Sequence, residues 1–193
     1  MLVLLHVCCA PDATVAVERL HEEGYEPVLY FCNPNIQPES EYIKRQQATV
    51  QLSNLWNLHL ILEEPDIDSW NKQIRGLESM PEGSLRCAKC IEFRLRLTAE
   101  YAKKNGFQIF STTLTTSPKK NAKLIFEIGE NIAREYKIDY LHRDFKKKNG
   151  FSRSVQLSRK LGLYRQNYCG CIYSIRTDRA EGVRRENICN NKG

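Results

Sequence analysis

The sequence predicts an α/β fold with a mainly parallel sheet flanked by helices, of the Rossmann-like or HUP-like kind. The chain has 193 residues, 41% of them hydrophobic and 27% charged, which is ordinary composition for one globular domain. The opening run LVLLHV is almost continuously apolar, as expected of a strand buried on both faces. Strand-like and helix-like segments then alternate over the first 141 residues, which is typical of parallel strands joined by crossover helices.

Each element follows from its local pattern. Short apolar runs bounded by turns predict strands, and apolar residues at i, i+3, i+4 and i+7 predict helices. The predicted strands are residues 2–7, 27–32, 58–62, 108–113 and 139–141. The predicted helices are residues 13–24, residues 39–54, a short helix around Trp70, a helix that starts at Cys87 and Cys90, and residues 119–136. For the last helix, Ser117 fits as the N-cap and Pro118 as a residue of the first turn.

We interpret the chain as a single domain, residues 1–193. Residues 1–141 form the sheet core, and residues 142–185 form a basic, cysteine-bearing extension of helix and loop that folds over the carboxyl ends of the strands. No apolar run reaches the roughly 18 residues that a membrane span requires, so we expect no membrane association. The start MLVLLHVCC lacks a basic flank and a small-residue cleavage site, so we interpret it as a strand and expect a cytoplasmic protein.

The unusual feature of the composition is eight cysteines, six of which form three tight local pairs. Neighbouring cysteines make poor stabilising disulfides, whereas one turn can present two thiolates to a metal. The pattern therefore favours an intracellular metal or redox site. The pairs are Cys8 with Cys9, Cys87 with Cys90, and Cys169 with Cys171; Cys32 and Cys189 are assigned no functional role.

Three unusual segments directly follow predicted strands, namely residues 8–12, 33–35 and 112–118. Open parallel sheets bind ligands outside the carboxyl ends of their strands, so these segments should share one edge. The cysteine pairs at 87/90 and 169/171 lie outside the strands and can fold over that edge. We therefore predict one composite site.

Six thiolates exceed the capacity of one tetrahedral centre, and Asp12 brings the number of candidate ligands to seven. Seven divides into four for an iron–sulfur cluster and three for a second metal with an open position. The alternative is a single zinc ion bound by four cysteines, with the other two cysteines not bound to it.

The pair at Cys87 and Cys90 lies at the start of a predicted helix. The helix dipole and the positive charges of Arg86 and Lys89 should favour the thiolate form of these cysteines.

The formal net charge of +6 is concentrated near the end of the chain. Residues 143–185 hold twelve Lys and Arg against three Asp and Glu, interleaved with aromatic residues. Such a stretch fits a nucleic-acid surface, although a solvated basic face would have the same composition. The absence of GxGxxG and GxxxxGK motifs lowers the expectation of an ATP or dinucleotide enzyme.

Five strings of the sequence resemble the QueH family of epoxyqueuosine reductases. They are HVCCAPD, FCNPNIQPESEY, EGSLRCAKCIEFRL, STTLTTSPKKN and YRQNYCGCIYS, and the similarity spans residues 2–174. The resemblance implies cobalamin-independent removal of the epoxide oxygen from epoxyqueuosine in the tRNA anticodon. It also implies a 4Fe-4S cluster beside a second metal ion. Many relatives have CCAPC where this chain has Asp12, and a carboxylate suits a harder metal, so Asp12 is placed on the mononuclear centre, expected to be iron.

On this hypothesis the second metal acts as a Lewis acid on the epoxide and Asp12 is the catalytic ligand. An external ferredoxin- or flavodoxin-like donor supplies electrons, and tRNA carrying epoxyqueuosine is the substrate. Two rival classes stay open: a zinc-stabilised RNA-binding module, and a thiol-based redox or sulfur-transfer enzyme. The predicted metal ligands are Cys8, Cys9, Asp12, Cys87, Cys90, Cys169 and Cys171, and the predicted substrate contacts are Asn33, Asn35, Thr113, Arg165 and Tyr168.

Overall fold

The computed structural model describes residues 1–175 and contains a parallel five-stranded sheet within them. The strand order is β3-β2-β1-β4-β5, and every neighbouring pair is parallel. The predicted α/β fold is therefore confirmed. The strands are β1 Leu2–His6, β2 Glu26–Phe31, β3 Leu60–Leu62, β4 Ile109–Thr112 and β5 Asp139–Tyr140.

Helices connect the strands and cover both faces of the sheet. They are α1 Ala10–Glu22, α2 Glu39–Trp56, α3 Ile67–Ile74, α4 Leu85–Lys104, α5 Ala122–Tyr136 and α6 Gly150–Lys160. The helix predicted to begin after Ser117 starts later than expected. The side chain of Asn121 caps α5 by accepting the backbone N–H of Leu124, whereas Ser117 ends a short 3₁₀ turn, so the predicted cap is wrong.

The core has two layers, because successive residues of a strand point to opposite faces of the sheet. Val3 and Leu5 of β1 face a cluster that includes Leu20 of α1 and Leu52 of α2. Leu4 faces the opposite cluster, which includes residues of α4 and α5. This double burial explains why β1 is almost continuously apolar.

The segment after the sheet packs along α1 and then returns to the carboxyl ends of the strands. Arg153 of α6 forms a bidentate ion pair with Glu18 of α1, with N–O distances of 3.1 and 2.7 Å. Further along, the carbonyl oxygen of Gly170 accepts the backbone N–H of Gln37, which follows β2. As far as residue 175, the predicted extension over the sheet edge is therefore confirmed.

Two sequence predictions concern residues 176–193, which lie outside the described residues. These are the unassigned Cys189 and the last part of the basic stretch. The division into a sheet core and an extension of one domain stays a prediction. Of the helices in residues 1–175, none is long and apolar enough to cross a membrane.

Candidate functional site

The carboxyl edge of the sheet brings together the segments that follow β1, β2 and β4. The side chain of Asn33 donates to the carbonyl oxygen of Val7 at 2.8 Å. The Thr116 hydroxyl donates to the backbone carbonyl oxygen of Asp12 at 3.1 Å. The predicted meeting of these segments at one edge is confirmed, and it follows from the parallel pairing of β1 with both neighbours.

Cys8, Cys9 and Asp12 form a group that we call the trio site. Their ligand atoms all lie within 4.8 Å of one another, and no other such group occurs within residues 1–175. The Cys8 Sγ lies 4.0 Å from the Cys9 Sγ and 3.8 Å from the Asp12 Oδ2. Cys9 is the N-cap of α1 and Asp12 is in its first turn, so the turn into the helix folds the carboxylate back towards Cys8. Two sulfurs and one oxygen suit a metal that keeps an open position.

The trio site concentrates buried acidic groups. A hydrogen bond from Cys9 lowers the pKa of the Cys8 thiol to about 6 against the opposing effect of burial. Burial raises the pKa of Cys9, and burial also raises the pKa of the Asp12 carboxyl, with the charge of Cys8 adding to it. Of the two thiols, Cys8 therefore ionises more readily. A bound cation would favour the ionised form of all three.

A second group, the quartet site, lies where the start of α4 meets the loop after α6. Cys90 and Cys171 are buried in one cluster with Trp70 and Ile74 of α3. Burial raises the pKa of both thiols, to about 11 at Cys171. The seven cysteines within residues 1–175 form no disulfide. The quartet site consists of Cys87, Cys90, Cys169 and Cys171.

Hydrogen-bond donors face the other two sulfurs of the quartet site. The Lys120 ammonium donates to the Cys169 Sγ at 3.1 Å, and the backbone N–H of Gly83 donates to the Cys87 Sγ at 3.1 Å. Donors to sulfur stabilise thiolates and tune the metal that they bind. Four cysteines with such donors match the number and kind of ligands in an iron–sulfur cluster.

The expected role of the cations at the start of α4 is wrong in part. Burial raises the pKa of Cys90, although a helix start was expected to lower it. Arg86 donates to the carbonyl oxygen of Glu78 at 2.6 Å, and Lys89 pairs with Glu92 at 3.0 Å. Burial outweighs the charge of Arg94, which is the largest effect that lowers the pKa of Cys90, and Arg86 and Lys89 have other partners.

A buried ion pair on α2 holds the loop that carries Cys169. Arg45 Nε donates to the Glu41 Oε1 at 2.7 Å, and its terminal nitrogens donate to the carbonyl oxygens of Tyr168 and Cys169 at 3.0 and 3.1 Å. The Tyr164 hydroxyl donates to the second oxygen of Glu41 at 2.6 Å. We call Glu41, Arg45 and Tyr164 the clamp. The clamp therefore joins α2 to the loop through three hydrogen bonds. The sequence analysis did not predict it.

The two asparagines predicted to bind substrate are buried beside this edge. Neither side-chain polar atom of Asn35 has a hydrogen-bond partner, and the Oδ1 of Asn33 also lacks one. An unsatisfied buried polar group costs about 1–3 kcal/mol, so such groups are expected where a ligand supplies the missing partner. Their burial is consistent with the predicted role.

Thr113 and Tyr168 already have protein partners. The Thr113 hydroxyl accepts the backbone N–H of Cys8 at 3.3 Å and lies 3.5 Å from its sulfur, so it fixes the turn of the trio site. The Tyr168 hydroxyl donates to the carbonyl oxygen of Gln37. In this conformation both side chains hold the site together, and substrate contact by either stays a prediction.

Arg165 and the next residue approach the trio site from the extension. Arg165 donates to the Ser158 hydroxyl, and its charge opposes the burial that raises the pKa of Asp12. Gln166 Nε2 lies 2.8 Å from the Cys9 Sγ, and its Oε1 is buried without a partner. The sequence analysis predicted a role for Arg165 but not for Gln166. The one feature that could have indicated Gln166 is its position two residues before the YCGC string.

Comparison with known proteins identifies relatives along most of the chain. A family model described as "Epoxyqueuosine reductase QueH" matches residues 3–177. A protein of that name from Thermotoga maritima is 40% identical over 176 residues, which cover 90% of each chain. Another from Staphylococcus epidermidis is 39% identical over 180 residues, covering 89% of this chain and 75% of the relative.

Solved structures share the fold at low sequence identity. One is described as a predicted subunit of tRNA methyltransferase from Methanocaldococcus jannaschii, with TM-score 0.55, 13% identity, and coverage of 79% of this chain and 74% of that one. Another is the U34-tRNA thiolase NcsA from Methanococcus maripaludis with its [4Fe-4S] cluster, with TM-score 0.56, 12% identity, and coverage of 100% and 68%. Both likenesses show that this chain shares its overall fold with those two proteins.

Proposed function

The chain belongs to the QueH family of epoxyqueuosine reductases, and from this membership we propose that it reduces epoxyqueuosine in tRNA to queuosine without cobalamin. The family is one of oxidoreductases. In our proposal the quartet site holds a 4Fe-4S cluster and the trio site holds a single iron. The observation that carries the proposal is that the loop of Cys169 and Cys171 hydrogen-bonds to Gln37 after β2, at the edge where the trio site follows β1.

The donor set of the quartet site supports the cluster. Its four sulfurs match the four thiolates that such a cluster requires. A bound cluster supplies electrons one at a time. The chain's own contribution is to hold Cys169 by the clamp and by Lys120, and to bury Cys90 and Cys171 away from water.

The donor set of the trio site supports a different metal. The mixed set of two thiolates and a carboxylate leaves room for a further ligand, and the oxygen donor suits a harder ion than a cluster iron. An iron there supplies Lewis-acid chemistry to the epoxide oxygen. Asp12 is then the catalytic residue, because its carboxylate holds the reacting centre, while Thr113 fixes Cys8.

The reaction is balanced by two electrons and two protons. Both carbon–oxygen bonds of the epoxide break, the cyclopentene double bond forms, and the oxygen leaves as water. The electrons come from an external ferredoxin- or flavodoxin-like donor. The side chains proposed to position the substrate, alone or through their neighbours, are Asn33, Asn35, Thr113, Arg165 and Tyr168.

We place the macromolecular substrate on the basic extension of a single domain. The phosphates of tRNA would meet its Lys and Arg side chains, and unstacked bases would meet its aromatic rings. Since tRNA modification takes place among cytoplasmic tRNAs, the cytoplasm is the proposed location. Binding to tRNA should weaken steeply as salt concentration rises.

Mass spectrometry of tRNA tests this function directly. The anaerobically purified, iron-loaded and chemically reduced protein is incubated with tRNA that carries epoxyqueuosine, and the nucleosides are then analysed. We expect epoxyqueuosine to be replaced by queuosine, with the loss of one oxygen atom. Unchanged epoxyqueuosine in a cluster-loaded, fully reduced reaction would contradict the proposal.

The same preparation separates the two rival classes. Zinc without acid-labile sulfide, together with tRNA binding and no turnover, would identify an RNA-binding module. Turnover that survives removal of iron and is blocked by alkylation would identify a thiol enzyme, because alkylation targets cysteines of lowered pKa.

A further inference from the structure

Arg94 is a buried cation on the helix that carries two cysteines of the quartet site. It follows Cys90 by four residues and Cys87 by seven, so all three lie on one face of α4. The residue is 2% exposed. Its Nε donates to the backbone carbonyl oxygen of Cys90 at 3.2 Å, which fixes the guanidinium beside that cysteine.

Arg94 differs from Arg45 in that it has no carboxylate partner within residues 1–175. Arg45 is equally buried and pairs with the Glu41 carboxylate. Among the ion pairs within residues 1–175, none includes Arg94. A buried charge without a counter-charge is strongly unfavourable, so a retained guanidinium indicates anions of another kind nearby.

The groups whose ionised forms act on the pKa of Arg94 are cysteines from both sites. Burial lowers the pKa of its guanidinium, but the thiolates of Cys90, Cys169 and Cys8 outweigh burial and raise it overall. Cys90 and Cys169 belong to the quartet site and Cys8 belongs to the trio site. The hydrogen bond to the Cys90 carbonyl and the shared helix face with Cys87 therefore place this cation at the quartet site.

We propose that Arg94 is a positioning residue that provides a buried counter-charge beside the quartet site and raises the reduction potential of the cluster. The inference rests on the proposed function, because it assumes a cluster at the quartet site. A cluster bound by four thiolates is net negative and gains another negative charge on reduction. A buried cation beside it stabilises the reduced form more than the oxidised form.

The other cation of this site should contribute less. Lys120 touches the Cys169 Sγ, but its ammonium also lies 3.7 Å from the Glu82 carboxylate, and its side chain is 11% exposed. A carboxylate partner and access to solvent both weaken the field of a charge. Arg94 has no carboxylate partner among residues 1–175 and is 2% exposed, so its charge should influence the potential more than that of Lys120 does.

The experiment compares three variants of the full chain with the wild type after anaerobic cluster loading. Arg94→Gln removes the charge, Arg94→Lys keeps it, and Arg96→Gln is the matched control. Arg96 is on the same helix but is partly exposed and pairs with Glu92 and Glu135. The measurements are the midpoint potential by EPR-monitored titration, iron and sulfide per chain, and circular dichroism for folding.

We expect Arg94→Gln to lower the midpoint potential. The equilibrium constant for reduction by a fixed donor should fall at least about tenfold, which is about 59 mV for one electron. Arg94→Lys should stay closer to the wild type than Arg94→Gln does, and Arg96→Gln should leave the potential unchanged. If Arg94→Gln folds but does not retain a cluster, restoration of the cluster by Arg94→Lys supports the counter-charge role.

Two results would overturn the inference. One is a loaded Arg94→Gln protein with the wild-type potential. The other is a folded Arg94→Lys protein that fails as completely as Arg94→Gln, because shape rather than charge would then be decisive. A wild type that holds no cluster under the same loading would instead overturn the proposed function, so the two failures are distinguishable.

Discussion

The trio site and the quartet site are built in opposite ways. Cys8, Cys9 and Asp12 come from five consecutive residues at the turn from β1 into α1. The quartet site joins the start of α4 to a loop beyond α6, and the clamp of Glu41, Arg45 and Tyr164 holds that loop in place. The first site is encoded locally, whereas the second depends on tertiary contacts.

This difference predicts that the two sites can be damaged separately. A change within the turn should spare the quartet cysteines, because it leaves α4 and the clamp untouched. A change in the clamp should release Cys169 without moving Cys8.

Loss of any quartet cysteine should abolish turnover. Replacing Cys87, Cys90, Cys169 or Cys171 by Ser removes one of four cluster ligands, and iron and sulfide per chain should fall with activity. The matched control is Cys32→Ala, since Cys32 is buried in the core cluster beneath the sheet and belongs to neither site. Full activity in any of the four serine variants would remove that cysteine from the ligand set.

Asp12→Asn should disable the trio site and leave the quartet site intact. The amide cannot supply the carboxylate charge, so the trio metal should be lost while the cluster's visible absorbance stays. Activity should fall on the order of 100-fold or more. Mutation of a residue that only hydrogen-bonds to a metal ligand typically costs about 10- to 100-fold, and loss of the ligand itself should cost more. Metal analysis and the absorbance spectrum check both parts. Loss of both centres together would contradict the division into two sites.

Glu41→Gln should weaken the quartet site from a distance. Arg45 would remain buried without its counter-charge, which costs about 3 kcal/mol of the free energy of unfolding. Cluster retention should fall while the trio metal is kept. The control is Glu18→Gln, which breaks the partly exposed pair with Arg153 and should cost about 1 kcal/mol or less. Equal effects of both variants on denaturation and cluster content would refute the clamp.

Asn35→Ala should have the smallest effect on activity, and it should not lower the stability of the protein. Removal of two unpartnered buried polar atoms should leave the stability unchanged or raise it by about 1 kcal/mol. KM for tRNA should nevertheless rise roughly tenfold, because a substrate contact worth about 1.4 kcal/mol is lost. Asn131→Ala on the exposed surface of α5 is the control. Unchanged kinetics with a lower stability would assign Asn35 a purely structural role.

Sequence reasoning succeeded where local pattern determines the structure. The apolar run at β1 and the rule for parallel strands were enough to bring Cys8 and Thr113 to one edge. It failed at Ser117, because Asn121 is an equally good cap and the 3₁₀ turn after β4 delays the helix.

The residues that sequence reasoning missed share a physical reason. Arg94 and Gln166 are polar residue types that normally face solvent, and their part in the site depends on burial that only tertiary packing creates. A helical spacing places Arg94 on the cysteine face of α4 but does not show that this face is buried.

The most direct test of two distinct centres is a count of iron and acid-labile sulfide in the anaerobically purified chain and in its Asp12→Asn variant. The account predicts about five iron and four sulfide per wild-type chain, and about four of each in the variant. Zinc without sulfide, or the same iron and sulfide counts in both proteins, would contradict it.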